Sequence, residues 1–262
     1  MQKIVFGKDE KFLSDAVSAF KKSRKSVAIT GAGISVESGI PDFRSPGGLW
    51  SVFSPEKYAT IDVFIENPAK AWKLYREMGR TLEGKKPNAA HLALARLEAA
   101  DRLVGVVTQN VDGLHQSAGS KNVIKVHGDH RNLHCIQCGH LEPAVREHLL
   151  GTDVPRCLCG FPLKPNVVLF GEPVRNLDQI LSLLSDCDAL LVIGTSAQVY
   201  PVAALPANVK ASGGTIFEFN LTETALTRGE TGIFSLFPEV QTDFLFEGKA
   251  SLTVASFTDA VL

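Results

Sequence analysis

The fold is decided by residues 26–50, which read SVAITGAGISVESGIPDFRSPGGLW. The run 27–30 is largely apolar, contains β-branched residues and ends abruptly at a glycine, so it predicts a buried strand. Gly31 and Gly33 then allow a tight turn and let backbone N–H groups approach a ligand, as glycine-rich turns after a first strand do for phosphates. A nucleoside diphosphate is therefore the expected ligand of this turn.

The glycine spacing departs from the fingerprint of dehydrogenases. A third glycine would fall where Val36 stands, and the next one is Gly39, which argues against hydride transfer. On the glycine pair alone, an ordinary tight turn stays open. The following Asp42, Phe43 and Arg44 place an acid, an aromatic ring and a guanidinium side by side in a loop. No helix or strand period requires that triplet, although a capped loop with a solvated ion pair is the alternative.

Size and composition are those of an ordinary globular protein and are compatible with one large α/β domain. The chain has 262 residues, 45% of them apolar and 21% charged, which is ordinary for a large globular domain with or without an insertion. A net charge of −1 argues against nucleic acid as a partner. No apolar run approaches the roughly 18 residues of a membrane span, and the N-terminus lacks a secretion signal. We therefore expect no membrane partner and no export.

Strands and helices alternate along the chain apart from one helical block. Strands are predicted at 103–108, 123–126, 189–193, 215–219 and 242–246. Helices are predicted at 9–23, at 201–211, at 251–262 and, in a block that interrupts the alternation, at 55–100, where Asn88 is the expected N-cap of the last helix. This α/β pattern with insertions predicts that the helical block stands over the nucleotide site as a lid or module.

Polar residues follow four of these strands. They are the segments 109–112, 127–128 and 194–196, and Asn220. Ligands of open α/β sheets bind beyond the carboxyl ends of the strands, so chemistry is expected at this edge. Each segment alone could be turn chemistry, because such residues are common in turns.

Two cysteine pairs predict a metal site. Cys135 and Cys138, then Cys157 and Cys159, offer four thiolates in the manner of a closed tetrahedral zinc site, which is structural because no position is left for water. Four buried free cysteines, or a redox disulfide, are the alternatives. Cys187 is expected in the core. Cysteines used in this way favour a reducing compartment, hence the cytoplasm.

Six motifs together resemble the sirtuin family of NAD-dependent protein deacylases. They are, in order, GAGISVESGIPDFRSPGGLW, TQNVDGLH, VHG, the four-cysteine insertion, NVVLFGE and GTS. The resemblance implies a Rossmann-like parallel-sheet large domain with a small domain made of a zinc-binding module and a helical module. The implied boundaries are 1–44, 101–127 and 171–262 for the NAD-binding large domain, 45–100 for the cofactor loop and helical module, and 128–170 for the zinc-binding module.

The resemblance also assigns residues to NAD. Those expected to bind it are Gly31, Ala32, Gly33, Asp42, Phe43, Arg44, Gln109, Asn110, Asp112, Gly194, Thr195, Ser196, Asn220 and Ala250. Among them, Gln109 and Asn110 would contact the nicotinamide ribose and Asp112 the carboxamide. The family usually has isoleucine where Val111 stands. The expected catalytic residues are His127 and Asn110.

The implied reaction transfers an acyl group from lysine to ADP-ribose. Nicotinamide leaves, the acyl oxygen attacks the ribose, and His127 deprotonates a ribose hydroxyl, for which an imidazole with a pKa near 6.5 is suited. Without its neighbours, His127 would be interpreted as a core histidine. His115 is expected to orient its loop, and no role is predicted for His91, His130 or His148.

Substrate contacts are expected in two places. The segment 165–172, including Val167, Val168, Phe170 and Gly171, suits an exposed edge that takes up an acyl-lysine peptide by strand addition, although an ordinary buried strand is the alternative. Sirtuins that remove acidic acyl groups resemble one another in a tyrosine followed three residues later by arginine.

Here Tyr75 is followed at that position by Met78. Arg76 and Arg80 lie about 100° and 140° from Tyr75 around a helix, so neither replaces the missing arginine. Neutral acyl groups are therefore expected over succinyl or malonyl, with core packing of Tyr75 and Met78 as the alternative.

Rival functions remain at this stage. An NAD-dependent protein ADP-ribosyltransferase would use the same site, and a non-catalytic NAD sensor would share the fold. A nicotinamide-linked dehydrogenase ranks last, because the glycine spacing is wrong. The sequence leaves the oligomeric state open and is compatible with a monomer.

Overall fold

A computed structural model describes residues 1–4, 9–42, 47–196, 198–230 and 240–262. Its strands are β1 (Gln2–Ile4), β2 (Ser26–Thr30), β3 (Gly105–Thr108), β4 (Val123–Lys125), β5 (Gly128–His134), β6 (Leu141–Pro143), β7 (Lys164–Val167), β8 (Ala189–Ile193), β9 (Thr215–Asn220) and β10 (Phe244–Glu247). Its helices are α1 (Glu10–Lys22), α2 (Leu49–Val52), α3 (Pro55–Tyr58), α4 (Ile61–Glu66), α5 (Pro68–Leu82), α6 (Ala89–Ala99), α7 (Leu114–Ser117), α8 (Arg146–Leu150), α9 (Leu177–Leu184), α10 (Leu205–Ala211), α11 (Ala225–Arg228) and α12 (Ala250–Val261).

Seven strands form one parallel sheet in the order β1-β10-β9-β8-β2-β3-β4. Strand β2 lies between β8 and β3, with Thr30 opposite Ile193 on one side and Thr108 on the other. Every residue of β2 and β8 is buried, as expected for a parallel sheet with both faces covered. The Rossmann-like α/β architecture inferred from the sequence is confirmed.

Helices cover both faces of this sheet. On one face α1, α6 and α12 enclose a core in which the ring of Phe20 lies 5.6 Å from that of Phe217 and 5.2 Å from that of Phe257. On the other face Ile180 of α9 and Val209 of α10 pack on β2 and β8. Because the strands are parallel, their carboxyl ends lie along one edge of the sheet.

Most predicted elements are confirmed, with shifted ends. The strand expected at 103–108 begins at Gly105, and that expected at 242–246 runs from Phe244 to Glu247. The helix expected at 201–211 begins with a 3-10 turn over Val202–Ala204, and α10 starts only at Leu205. Three-residue β1 is not predicted, because so short a run carries no period.

A smaller body is built from a three-stranded antiparallel sheet, β6-β5-β7, and from helices α2 to α5. The indole Nε1–H of Trp72 on α5 donates to the carbonyl oxygen of Leu163, 2.8 Å away, and Phe64 and Tyr75 are buried in the same core. The helical and zinc modules thus share one apolar cluster. This is the small domain that the sequence analysis expects.

Helix α6 packs elsewhere. The side chain of Asn88 caps it by accepting from the N–H of Ala90, and Ala90 and Leu94 lie in the core of the parallel sheet beside α12. The final part of the 45–100 segment therefore packs on the large domain instead of standing over the cleft. We propose that the helical module ends at Leu82. None of the helices in the described ranges is long and apolar enough to cross a membrane.

Candidate active site

A cleft of about 640 Å³ opens at the carboxyl ends of β2, β3, β8 and β9 and extends beneath the small domain. Its lining includes most residues that the sequence assigns to NAD: Gly31, Ala32, Gly33, Asp42, Gln109, Asn110, Gly194, Thr195, Ser196, Asn220 and Ala250. His127 and the six expected substrate residues, Tyr75, Met78, Val167, Val168, Phe170 and Gly171, line it as well. Phe43 and Arg44 lie outside the described residues.

The two glycines after β2 are needed for close packing. A Cβ on Gly31 would lie 2.8 Å from the carbonyl oxygen of Gly194, and one on Gly33 would lie 2.7 Å from the Cα of Gly194. The N–H of Gly31 donates to Ile193 and that of Gly33 to Gly194. These two N–H groups are thus bonded within the chain, and the glycines bring the ends of β2 and β8 together. The approach of other N–H groups of this turn to a phosphate stays a prediction.

The imidazole of His127 follows β4 and is held in one tautomer. Its Nδ1 lies 2.9 Å from the carbonyl oxygen of Gln109, which can only accept, so Nδ1 carries the proton and Nε2 is bare. Burial lowers the pKa of His127, and the hydrogen bond to Gln109 opposes that shift in part. A neutral imidazole with a free acceptor nitrogen in a cleft can accept a proton.

The residue after His127 fixes how the chain enters the small domain. Gly128 has φ +76°, and a Cβ there would overlap the carbonyl oxygen of Asn166 on β7. The carbonyl oxygen of His127 itself accepts from the N–H of Val168, 2.9 Å away. Only glycine meets both the dihedral and the space.

A buried polar cluster that sequence analysis missed lies beneath this part of the cleft. The Ser35 hydroxyl donates to Asp112 (2.8 Å) and accepts from the amide of Asn110 (3.1 Å), which also donates to the carbonyl oxygen of Gly31 (3.0 Å). Asp112 itself does not line the cleft, and its other oxygen accepts from the N–H of Leu114. Asp112 therefore acts on the orientation of Asn110 through Ser35.

Two histidines complete this cluster. The rings of His91 and His115 lie 4.9 Å apart, and His115 Nε2 lies 2.9 Å from the hydroxyl of Thr30. Burial lowers the pKa of His91 to about 4 and that of His115 to about 3, so both are neutral near pH 7. The sequence predicts no role for His91, and the structure places its ring in this cluster beside His115, which lies where it can orient its loop.

The end of the cleft beneath the helical module is apolar. Leu74, Tyr75 and Met78 of α5 line it together with Trp50 and Val111. Burial raises the pKa of Tyr75, so its phenol stays neutral.

The two arginines of α5 point away from this wall. Arg76 donates to the carbonyl oxygen of Asp153 and lies over the ring of Trp72, and Arg80 pairs with Glu77. Neither arginine reaches the apolar wall.

The segment expected to form an exposed edge is largely paired within the chain. Phe170 donates its N–H to Ala59 and accepts from the N–H of Ile61, while Val168 donates to His127. The buried ammonium of Lys164 holds the turn, donating to the carbonyl oxygen of Val167 and to Glu172. Several main-chain groups of this segment are thus bonded within the chain, although the segment also lines the cleft. Its uptake of a peptide by strand addition stays a prediction.

The four paired cysteines meet at one point. All four Sγ atoms lie within 4.8 Å of one another, with Cys135 and Cys159 3.6 Å apart and Cys138 and Cys157 3.5 Å apart. Zinc–sulfur bonds of about 2.3 Å at tetrahedral angles place sulfurs about 3.8 Å apart, so one ion fits. Cys187 is buried away from them, as expected, and donates to the carbonyl oxygen of Ala189.

Comparisons with known proteins agree with this arrangement. A protein of Caldivirga maquilingensis named NAD-dependent protein deacetylase is 48% identical over 206 residues, covering 77% of this chain and 80% of its own length. The structure of a Sir2 homolog–NAD complex matches with a TM-score of 0.84 at 38% identity, covering 95% of this chain and 93% of that one.

A second structure holds a Sir2 protein with a deacetylated p53 peptide and 3′-O-acetyl ADP-ribose. It matches with a TM-score of 0.82 at 33% identity, covering 95% of this chain and 96% of that one. The model of the Sir2 family matches residues 31–201. This chain therefore belongs to the Sir2 family.

Proposed function

We propose that this protein is an NAD-dependent protein-lysine deacylase that transfers the acyl group of lysine to ADP-ribose and releases nicotinamide. The observation that carries the proposal is His127, whose bare Nε2 belongs to a ring lining the cleft while its Nδ1–H is held by Gln109. The proposal is supported by relatives named NAD-dependent protein deacetylase or deacylase.

The cleft fits a dinucleotide. Its volume of about 640 Å³ lies in the range of small-molecule sites. Hydroxyl and amide groups of Gln109, Thr195, Ser196 and Asn220 are distributed along it and suit ribose hydroxyls. When bound, NAD supplies a glycosidic carbon that becomes electrophilic as nicotinamide leaves, and an ADP-ribose that accepts the acyl group.

Residues of the chain would position the dinucleotide and remove a proton from one of its ribose hydroxyls. Gln109 donates to Thr195 and so joins the ends of β3 and β8 on which the two halves of the ligand would lie. Asn110, oriented by Ser35 and Gly31, would hold the ribose next to nicotinamide. His127 would take a proton from a ribose hydroxyl at Nε2, which its lowered pKa leaves unprotonated near pH 7.

The acyl-lysine protein or peptide would enter between the small domain and the sheet. The wall formed by Leu74, Tyr75 and Met78 is apolar, and no lysine or arginine is among the described residues that line the cleft. A carboxylate at the end of the acyl chain would lose its hydrating water on entering this part of the cleft. No cationic side chain is there to offset that desolvation free energy. Acetyl and longer neutral groups are therefore the proposed substrates, in preference to succinyl or malonyl.

Two further assignments belong to the proposal, a structural metal and a cellular compartment. One zinc ion held by Cys135, Cys138, Cys157 and Cys159 would be structural, since four sulfurs leave no open position. Thiols that serve a metal suit a reducing compartment, so we place the protein in the cytoplasm.

Product analysis tests the function directly. The purified protein is incubated with NAD and an acetyl-lysine peptide, and products are identified by mass spectrometry. Free lysine peptide, nicotinamide and O-acetyl-ADP-ribose in equal amounts are expected, with none formed by His127→Ala. Transfer of labelled ADP-ribose to protein without deacetylation would instead identify an ADP-ribosyltransferase.

A further inference from the structure

The side-chain amide of Asn220, at the end of the cleft away from His127, has one fixed orientation. The Nδ2 of Asn220 lies 2.9 Å from a carboxylate oxygen of Glu218 and 3.2 Å from the carbonyl oxygen of Thr195. Both partners only accept, so the amide must direct its two N–H bonds at them. The carbonyl oxygen Oδ1 of Asn220 is left to face the cleft that the residue lines.

Glu218 is itself locked in place. It is fully buried on β9, and its carboxylate accepts from the hydroxyls of Thr224 (2.6 Å), Thr227 (2.7 Å) and Thr242 (2.6 Å) besides the amide of Asn220. Four neutral donors around its two oxygens hold the carboxylate in one orientation. It therefore presents a fixed acceptor to Asn220.

Asn220 consequently offers the ligand an acceptor and no donor. A hydroxyl group can donate to Oδ1, whereas a phosphate ester at the same place would bring its anionic oxygens against the amide oxygen. The lining offers such a phosphate no compensation, because its described residues include the acids Glu37, Asp42 and Glu172 but no lysine or arginine. Sites that accept a 2′-phosphate on the adenosine ribose normally place an arginine there.

The sheet order places the adenosine ribose at Asn220. In doubly wound dinucleotide folds the pyrophosphate lies at the glycine turn of the first strand, and the two nucleosides lie to either side. Here the glycine turn follows β2, Asn110 and His127 follow β3 and β4 on one side, and Asn220 is the last residue of β9 on the other. Since His127 faces the ribose that reacts, the adenosine ribose falls on the β8–β9 side.

We propose that Glu218 is a positioning residue which, by fixing the amide of Asn220, makes this site select NAD and reject NADP. The inference rests on the proposed function, because it takes the ligand to be a nicotinamide dinucleotide.

Calorimetric titration with NAD and with NADP, without an acyl peptide, tests it on binding alone. The wild-type chain is expected to bind NADP at least about 100-fold more weakly than NAD, as sites built around a substrate hydroxyl discriminate strongly. In Asn220→Ser the amide acceptor is replaced by a hydroxyl that can also donate. The ratio of the NADP dissociation constant to the NAD dissociation constant should therefore fall by at least about tenfold. Glu218→Gln should lower the same ratio by a smaller factor. The glutamine amide can donate to Oδ1 of an Asn220 side chain that has rotated by half a turn, so that Nδ2 of Asn220 then faces the cleft.

Asp188→Asn is the matched control. Like Glu218→Gln, it replaces a hydrogen-bonded carboxylate by an amide, but Asp188, just before β8, accepts from the N–H groups of Arg24 and Lys25 and contacts neither Glu218 nor Asn220. It should therefore lower the melting temperature while leaving the NADP to NAD ratio of dissociation constants within about twofold of the wild-type value.

A folded Glu218→Gln whose ratio equals that of the wild type and of Asp188→Asn, or a wild type that binds the two nucleotides alike, would overturn the role of Glu218. A wild type that binds neither NAD nor ADP-ribose would overturn the proposed function instead.

Discussion

The Nδ1 atom of His127 lies 2.9 Å from the carbonyl oxygen of Gln109, and this single contact decides which nitrogen can act as a base. Because the carbonyl only accepts, the proton is fixed on Nδ1 and the lone pair of Nε2 is available. The same strand end therefore supplies both the orientation of the imidazole and, through the Gln109 side chain, a contact to Thr195.

The pH dependence of turnover should reflect this imidazole. Burial lowers the pKa of His127 below its usual 6.5, so the active neutral form persists in mildly acidic buffer. We expect kcat/KM for an acetyl-lysine peptide to rise with pH along an acid limb whose midpoint lies below 6.5. Rates measured from pH 5 to 8 check it, and His140→Gln, an exposed histidine, serves as the control. A midpoint above 7 would contradict the assignment.

Metal removal should inactivate the protein through its structure. Zinc stoichiometry is expected to be one per chain, and Cys138→Ser or a chelator should unfold the zinc-binding module, because the ion would join its two cysteine loops, 135–138 and 157–159. The loss of near-ultraviolet circular dichroism and of deacylation should coincide with metal release. Cys187→Ser is the control, since this buried thiol lies outside the cluster. A folded, zinc-free protein with full activity would refute the structural role.

Selectivity among acyl groups should depend on Met78 of α5, which stands where an arginine would pair with an acidic acyl group. Acetyl-lysine peptide is expected to react at least about tenfold faster than the succinyl peptide at equal concentration, because a buried unpaired carboxylate is costly. Met78→Arg, which places a guanidinium on the same helical face as Tyr75, should raise the succinyl rate and lower the acetyl rate. Met78→Leu controls for volume. A wild type that prefers succinyl peptide would sink the idea.

Acid should destabilise the fold through buried neutral histidines. Burial lowers the pKa of His130 to about 4, so the unfolded chain binds a proton below pH 6.5 that the folded chain does not. The stability of the fold with His130 neutral is fully present above pH 6.5 and is lost progressively as pH falls towards 4. Between pH 7 and pH 5 this residue should cost about 2 kcal/mol of unfolding free energy.

Urea titrations of wild type and His130→Gln at both pH values measure that difference. The variant should lose less stability than wild type between pH 7 and pH 5, even though it is less stable at pH 7 through loss of the bond to the Tyr75 carbonyl. An identical pH dependence in both proteins would remove His130 from the explanation.

Much of this site could be predicted from local sequence. The buried strand 27–30, the polar residues after β3, β8 and β9, the Asn88 cap and the cysteine pairs all carry their signal within a few residues. Such signals reflect backbone dihedrals, hydrogen-bond valence and ligand spacing, which are local properties.

The polar cluster beneath the cleft could not be found in this way. Ser35, His91 and Asp112 are far apart in sequence and meet only because α6 packs beside the turn after β2. His91 also occupies the N3 position of α6, where it closes a capping box, so its pattern indicates a cap and nothing more. Similarly, 165–172 has the composition of a free strand, and its hydrogen bonds to the Lys164 ammonium and to the 59–61 backbone could not be predicted from the sequence.

Gly128 adds a consequence for natural variation in this family of chains. Every missense change at a glycine codon adds a side chain, and here that side chain would collide with β7 and displace the imidazole one residue earlier. Such an allele would keep every polar group of the cleft and all four cysteines. A survey that scores activity only by the polar residues of the cleft and the four cysteines would count it as a working copy, although the altered backbone would displace His127.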